Sequence, residues 1–147
     1  QVLTTNSAVA DGIEWATPAG GGATINKVMA STMTIYNYAT EYHSMQGGGS
    51  ATKNLVVSRA FQTMTVSKLW LNVTANNLDV DEVLTLYDDD VATSLAITIP
   101  DLGVGVVTND VDNSGLIGSG SILYFLDTQN SSTGEAVIPY GSYIEAY

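Results

Sequence analysis

The chain has 147 residues, of which 45% are hydrophobic and 13% are charged, so it is long enough to bury a core and does not resemble a disordered segment. Fifteen acidic residues against four Lys and Arg give a formal net charge of −11, which disfavours nucleic acid and anionic membrane surfaces as partners. Because the chain has no cysteine, disulfides, thiolate metal sites and cysteine nucleophiles are excluded. The residue pattern predicts neither a leader peptide nor insertion into a membrane.

The first predicted element is a β-hairpin near the N-terminus. Residues 2–5 favour a strand, residues 6–12 contain turn formers, and residues 13–16 alternate apolar with polar or small side chains. An isolated hairpin is marginal in water, so it needs a partner, which is either the chain's own domain or further copies of the chain. The apolar side chains that this partner would bury are Val2, Leu3, Ile13 and Trp15.

A change of composition at residues 19–23 predicts a domain boundary, because three consecutive glycines close to a proline form a flexible joint. We therefore expect a neck over residues 1–22 and a head domain over residues 23–147. Short strand-like runs recur through the head, and no helix longer than a single turn is predicted. The predicted strands are residues 33–38, 41–45, 55–57, 64–75, 83–87, 94–99, 104–108, 122–127 and 136–147.

Alternation of side chains assigns faces to these strands. Leu69, Leu71 and Val73 share one face, which is predicted to be core, and Trp70 lies on the other. Residues 122–126 are apolar on both faces, which predicts a central strand or a subunit contact. Many short strands of this kind predict an all-β fold, an antiparallel β-sandwich with a jelly-roll-like arrangement.

The N-terminal run follows the pattern Q-V-L-T-T-N-x-x-A-x-x-x-x-W-x-T-P, with Gln1, Trp15 and Pro18 at defined positions. In this it resembles the connector between the shaft and the terminal head of bacteriophage tail fibres and related virion fibres. The partners of such a connector are two more copies of the same chain. The resemblance therefore implies a homotrimer whose neck is held together by Val2, Leu3, Ile13 and Trp15.

A second resemblance lies in residues 57–73 and 82–100. They follow a layout of arginine-alanine, a strand of the form L-x-V-x-V, and then L-x-x-(D/N)-G-x-x-(T/S)-x-L-x-x-T-I, and they look like the β-sandwich heads of phage and metagenomic fibres. The chain departs from this layout at Asp89 and Asp90, where the usual glycine of the strand turn is missing, and this leaves the turn type open. The resemblance implies a binding or structural head and does not identify a ligand.

Enzymatic chemistry is not indicated by the sequence. His43 is the only histidine, no serine lies in a G-x-S-x-G elbow, and no phosphate-binding glycine motif is present. A pair of carboxylates could hydrolyse a glycosidic bond, but that work usually needs a long cleft on a larger scaffold. We therefore predict that the protein is not an enzyme and that His43 is a hydrogen-bonded strand residue or part of a binding surface.

Acidic turns offer one candidate cation site. Asp88, Asp89 and Asp90 place three carboxylates within one turn, and neighbouring carboxylates of this kind suit a hard cation such as calcium. Solvated turn carboxylates are the alternative. No other cofactor is expected.

Aromatic side chains are the stronger functional candidates, since the chain has eight tyrosines and two tryptophans among many small residues. Exposed rings stack on sugar faces or pack at the centre of protein interfaces. The residues predicted to be exposed and to bind a ligand are Tyr42, His43 and Trp70. Packing within the core or between subunits is the alternative for each ring.

These patterns and resemblances imply a virion protein, made in the host cytoplasm and acting on an extracellular particle. The expected function is attachment of a fibre head to a host-surface glycan, protein or other outer-membrane component, with the other virion proteins as further partners. One alternative is a structural virion protein, such as a capsid decoration or head fibre. The other is a secreted filament subunit.

Overall fold

The computed structural model describes residues 2–5, 13–16, 22–36, 40–101, 103–108, 114–128 and 133–147. These residues form strands and a single 3₁₀ turn at Lys53–Leu55, which confirms the predicted all-β fold. None of their helical segments is long and apolar enough to cross a membrane. In chain order the strands are β1 (Val2–Thr5), β2 (Ile13–Ala16), β3 (Thr24–Val28), β4 (Met33–Tyr36), β5 (Tyr42–His43), β6 (Gly49–Ser50), β7 (Ser58–Arg59), β8 (Met64–Val73), β9 (Ala75–Asn76), β10 (Glu82–Asp88), β11 (Val91–Ile99), β12 (Gly105–Thr108), β13 (Ser114–Ile117), β14 (Ile122–Thr128), β15 (Glu135–Ile138) and β16 (Tyr140–Ala146).

Strands β1 and β2 form the predicted N-terminal hairpin. They pair antiparallel with Leu3 opposite Trp15. The turn at residues 6–12 and the joint at residues 17–21 lie outside the described residues. At Gly22 the chain enters the head so close to its C-terminal end that a Cβ atom on Gly22 would lie 1.2 Å from the Tyr147 carbonyl oxygen, so a side chain is excluded there.

The head contains two large antiparallel sheets and one small one. The β14 sheet has the order β11-β10-β14-β5-β6, with β7 also paired to β14. The β8 sheet has the order β12-β8-β16-β3, with β13 also paired to β8. A three-stranded sheet has the order β4-β15-β9.

The hydrophobic core lies between the two large sheets. Leu69 and Leu71 of β8 are fully buried, as the alternation predicts, and they belong to the same apolar cluster as Leu123 and Phe125 of β14. Each such side chain contributes roughly 1.5–3 kcal/mol through burial. The arrangement is an antiparallel β-sandwich, and its jelly-roll connectivity stays a prediction.

Several predicted boundaries differ from the observed ones. The predicted strand 136–147 is interrupted at Pro139, which has no N–H to donate, and its halves β15 and β16 belong to different sheets. The predicted strand 55–57 is replaced by the 3₁₀ turn at Lys53–Leu55, whose Leu55 is exposed. Strands β3, β6, β7 and β13 were not predicted, since they are short or, like β3, mostly exposed and without apolar alternation.

The turn type left open by the sequence is now defined. Asp89 and Asp90 have φ angles of 46° and 70°, and Asp88 pairs with Val91 across the hairpin. A two-residue loop with positive φ at both positions is a type I′ turn, and aspartate tolerates this conformation better than most residues. The Asp89 carboxylate also accepts a hydrogen bond of 2.9 Å from the Ile122 N–H, so the turn is fixed to the neighbouring strand β14.

Candidate functional site

Trp70 lies on the outer face of the β8 sheet, because its neighbours Leu69 and Leu71 point into the core. Its ring packs against Tyr140 of β16, with ring centroids 5.3 Å apart and an angle of 37° between the planes. Trp70 is half-buried and Tyr140 is exposed, so the pair presents aromatic surface to solvent. Trp70 thus lies on the predicted outer face, but it is half-buried, whereas exposure was predicted.

The Trp70 ring borders an open depression of about 460 Å³, which we call the Trp70 depression. Asn26 and Lys68 provide an amide and an ammonium group beside the ring, and Ser142 provides a hydroxyl. An aromatic face bordered by hydrogen-bonding groups of this kind suits a sugar, whose ring stacks while its hydroxyls bond to the polar side chains. The remaining residue that lines the depression is Ile144.

Lys68 has an unusual backbone in this depression. Its φ is 55°, and the pairing of β8 with β16 shifts by one residue between Ser142 and Ile144, so Lys68 lies in a β-bulge. A left-handed conformation costs a non-glycine residue of this kind roughly 1–2 kcal/mol. Bulges re-aim side chains and strained residues cluster at binding sites, so the bulge is a second observation that favours function at this position.

Tyr42 and Trp70 lie on different sheets and do not form one site. Tyr42 is in β5, on the outer face of the β14 sheet, where its ring meets Tyr124 edge to face at a centroid distance of 5.5 Å. Tyr124 stacks in turn on Tyr87 at 5.3 Å and is buried between them. The three rings form a row across the β14 sheet in which Tyr42 is half-buried.

The prediction that His43 is exposed is wrong, because its side chain is 0% accessible. His43 pairs in register with Phe125 and shares its inward face, so it cannot contact a surface ligand. Its Nε2 lies 3.7 Å from Oδ2 of the buried Asp127, and neither ring nitrogen makes a hydrogen bond. The prediction of a hydrogen-bonded strand histidine is therefore also wrong.

The second carboxylate oxygen of Asp127 ties this pair to the backbone. Asp127 Oδ1 accepts a hydrogen bond of 2.6 Å from the Glu41 N–H. Burial raises the pKa of the Glu41 carboxyl above 4.5, and the negative charge of Asp127 raises it further while His43 opposes the shift. The group is a buried polar cluster inside the sandwich, not a surface site.

The acidic turn does not form the predicted calcium site. Asp90 accepts hydrogen bonds from Lys53 Nζ at 2.6 Å and from the Tyr124 hydroxyl at 2.8 Å, and these donors hold the pKa of its carboxyl below the usual value. Asp89 bonds to β14 and Asp88 belongs to strand β10, so their oxygens do not converge. Among the described residues, no three His, Cys, Asp or Glu side chains are grouped in a way that could hold a metal ion.

A cleft of about 500 Å³ opens between the β3–β16 edge of the β8 sheet and the segment that follows β7. Sequence reasoning missed it. Lys27 and Arg59 lie at its rim, and the buried Glu145 lies within it, 3.4 Å from Lys27 Nζ. Glu145 also accepts a hydrogen bond from the Tyr147 hydroxyl, and this bond raises the pKa of Tyr147. Burial and the negative charge of Glu145 raise the pKa of Tyr143.

The residues predicted to hold a trimer neck, Val2, Leu3, Ile13 and Trp15, lie on β1 and β2. The described part of these strands is their backbone, so the contacts of the four side chains and the homotrimer stay predictions.

No protein-family model matches the chain, and no curated protein is significantly similar to it.

Proposed function

We propose that the chain is the head of a virion fibre and that it attaches to a host-surface glycan through the Trp70 depression, without enzymatic conversion. The observation that carries this proposal is the pair of the half-buried Trp70 and the exposed Tyr140 beside three polar side chains on one sheet face. The fibre assignment is supported by the connector-like N-terminal run and by the all-β head that follows it.

A glycan is favoured over a protein ligand because the depression is open and its polar groups border the Trp70 ring. One stacked ring contributes about 1 kcal/mol beyond the area that it buries, so each head would bind weakly. Several heads on one fibre would compensate through avidity, which multiplies the apparent affinity without new contacts. The proposed homotrimeric neck would supply that multivalency.

An array of bacterial surface glycans tests the proposal without knowledge of the host. The purified chain should bind at least one glycan, and Trp70→Ala should lower that binding about fivefold or more while the melting temperature stays close to that of the unmodified chain. Tyr42→Ala is the matched control, since it removes a half-buried ring from the opposite sheet. Glycan binding that survives Trp70→Ala and is lost in Tyr42→Ala would move the site to the tyrosine row.

A structural role on the particle is the second candidate, and exposed apolar side chains favour it. Phe61, Leu55 and Leu116 are 96%, 77% and 74% accessible, and such side chains are suited to protein contacts. If no glycan is bound and the chain instead associates with purified viral shells, the head is a decoration or head-fibre protein.

A further inference from the structure

The cleft between the two sheets combines an apolar floor with a cationic rim. Its floor is formed by Met45, Met64 and Leu123, which are each more than nine-tenths buried. Methionine thioethers adapt to irregular apolar ligands, and the volume of about 500 Å³ lies within the range of small-molecule sites. The apolar part of a ligand would therefore pack on these three side chains.

The charges at the rim identify what the head group of a ligand would be. The chain has only four Lys and Arg, and two of them, Lys27 and Arg59, line this cleft. Arg59 uses Nη1 to donate a hydrogen bond of 2.9 Å to the Gly120 carbonyl, which fixes the guanidinium and leaves further N–H donors for an anion. The Glu145 carboxylate is paired with Lys27 and accepts a hydrogen bond from the Tyr147 hydroxyl, so Arg59 is the cation that this cleft offers to an anionic ligand.

We propose that this cleft binds a small amphiphile, an unbranched apolar chain that carries one carboxylate. The chain packs on Met45, Met64 and Leu123, and the carboxylate is paired with the Arg59 guanidinium, which matches its planar geometry. Phe61, which is exposed beside the opening, covers the part of the chain that leaves the cleft. This site goes beyond glycan attachment and does not depend on the Trp70 depression, which lies on the outer face of the β8 sheet.

The test is a calorimetric titration of the full chain with sodium octanoate at pH 7, accompanied by amide chemical shifts. We expect one saturable site, with the shifts concentrated around Lys27, Ala60 and Tyr147. Octan-1-ol, which has the same chain without the charge, should bind about tenfold more weakly. The absence of saturable octanoate binding, or shifts centred on another surface, would overturn the proposal.

Variants at the rim separate the charge from the apolar contact. Arg59→Gln should weaken octanoate about tenfold and leave octan-1-ol unchanged. Lys53→Gln is the matched control, since it removes an equal charge on the outer face of the β14 sheet and should change neither ligand. Phe61→Ser alters a side chain that the fold does not bury, so it should weaken both ligands equally without unfolding the protein. Equal octanoate affinity in Arg59→Gln and the unmodified chain would refute the carboxylate assignment.

N-acetyl-leucine distinguishes the proposed amphiphile from the C-terminus of a peptide, which also joins a carboxylate to an apolar group. We expect it to bind more weakly than octanoate, because its branched side chain reaches less of the floor. Tighter binding of N-acetyl-leucine would overturn the amphiphile and assign the cleft to a peptide terminus.

Discussion

The buried Asp127 offers the sharpest test of how the sandwich is held together. In Asp127→Ala the Glu41 N–H loses its acceptor at 2.6 Å, and the His43 imidazole loses the carboxylate that lies 3.7 Å from its Nε2. An unsatisfied buried polar group costs roughly 1–3 kcal/mol, and the small cavity adds about 1 kcal/mol. We therefore expect the free energy of unfolding to fall by about 2–4 kcal/mol, a large share of the 5–15 kcal/mol that is typical of a domain.

Asp127→Asn separates hydrogen bonding from charge. The asparagine Oδ1 can still accept from Glu41 and its Nδ2 faces His43, so we expect a change of about 1 kcal/mol or less. Urea unfolding at pH 7 measures both variants, and Asp101→Ala serves as an exposed control that should stay within about 0.5 kcal/mol of the unmodified chain. The reasoning is refuted if Asp127→Ala is as stable as the control, or if the asparagine variant is as unstable as the alanine variant.

Three further outcomes are expected. Lys68→Gly should raise the free energy of unfolding by up to about 1 kcal/mol, because glycine adopts the positive φ without strain. The same variant should weaken glycan binding on the array, because it removes the ammonium group. A loss of stability would contradict the strain argument. Glu41→Gln should raise the melting temperature at pH 7, because burial in the folded state disfavours the charged carboxylate. This gain should vanish as the pH falls below about 4.5, where the carboxyl group is protonated. An equal gain at pH 4 would exclude ionisation as the cause. Trp15→Ala should convert the trimer into monomers with a light-scattering mass of 15.4 kDa, while the head still melts cooperatively. A mass of 15.4 kDa for the unmodified chain would show that it is not a trimer.

The sequence predicts burial correctly where apolar and polar side chains alternate over a long strand. In β8, Leu69, Leu71 and Val73 lie far enough along one strand to fix which face is buried, and Trp70 is then placed on the opposite face by geometry alone. The strand that carries His43 has two residues, Tyr42–His43. Two residues are too few for the sequence pattern to show which side chain faces the core. The register of its pairing with β14 determines which side chain is buried, and this register depends on the tertiary fold.

The cleft could not be predicted for a related reason. Lys27, Arg59 and Glu145 come from three distant parts of the chain, and β3 and β7, which carry two of them, were not predicted as strands. The one sequence feature that points to the cleft is the small number of cations. The chain has only four Lys and Arg against a net charge of −11. The fold brings two of the four cations, Lys27 and Arg59, into the same cleft.

The placement of the four cations supports the two binding surfaces that we propose for the head. Lys53 is paired with Asp90 at the type I′ turn, where its role is structural. Lys68 stands beside the Trp70–Tyr140 pair on one sheet face, while Arg59 and Lys27, which is paired with Glu145, line the cleft. In a strongly acidic protein an anionic ligand is repelled from most of the surface, so the few positive groups define where it can approach.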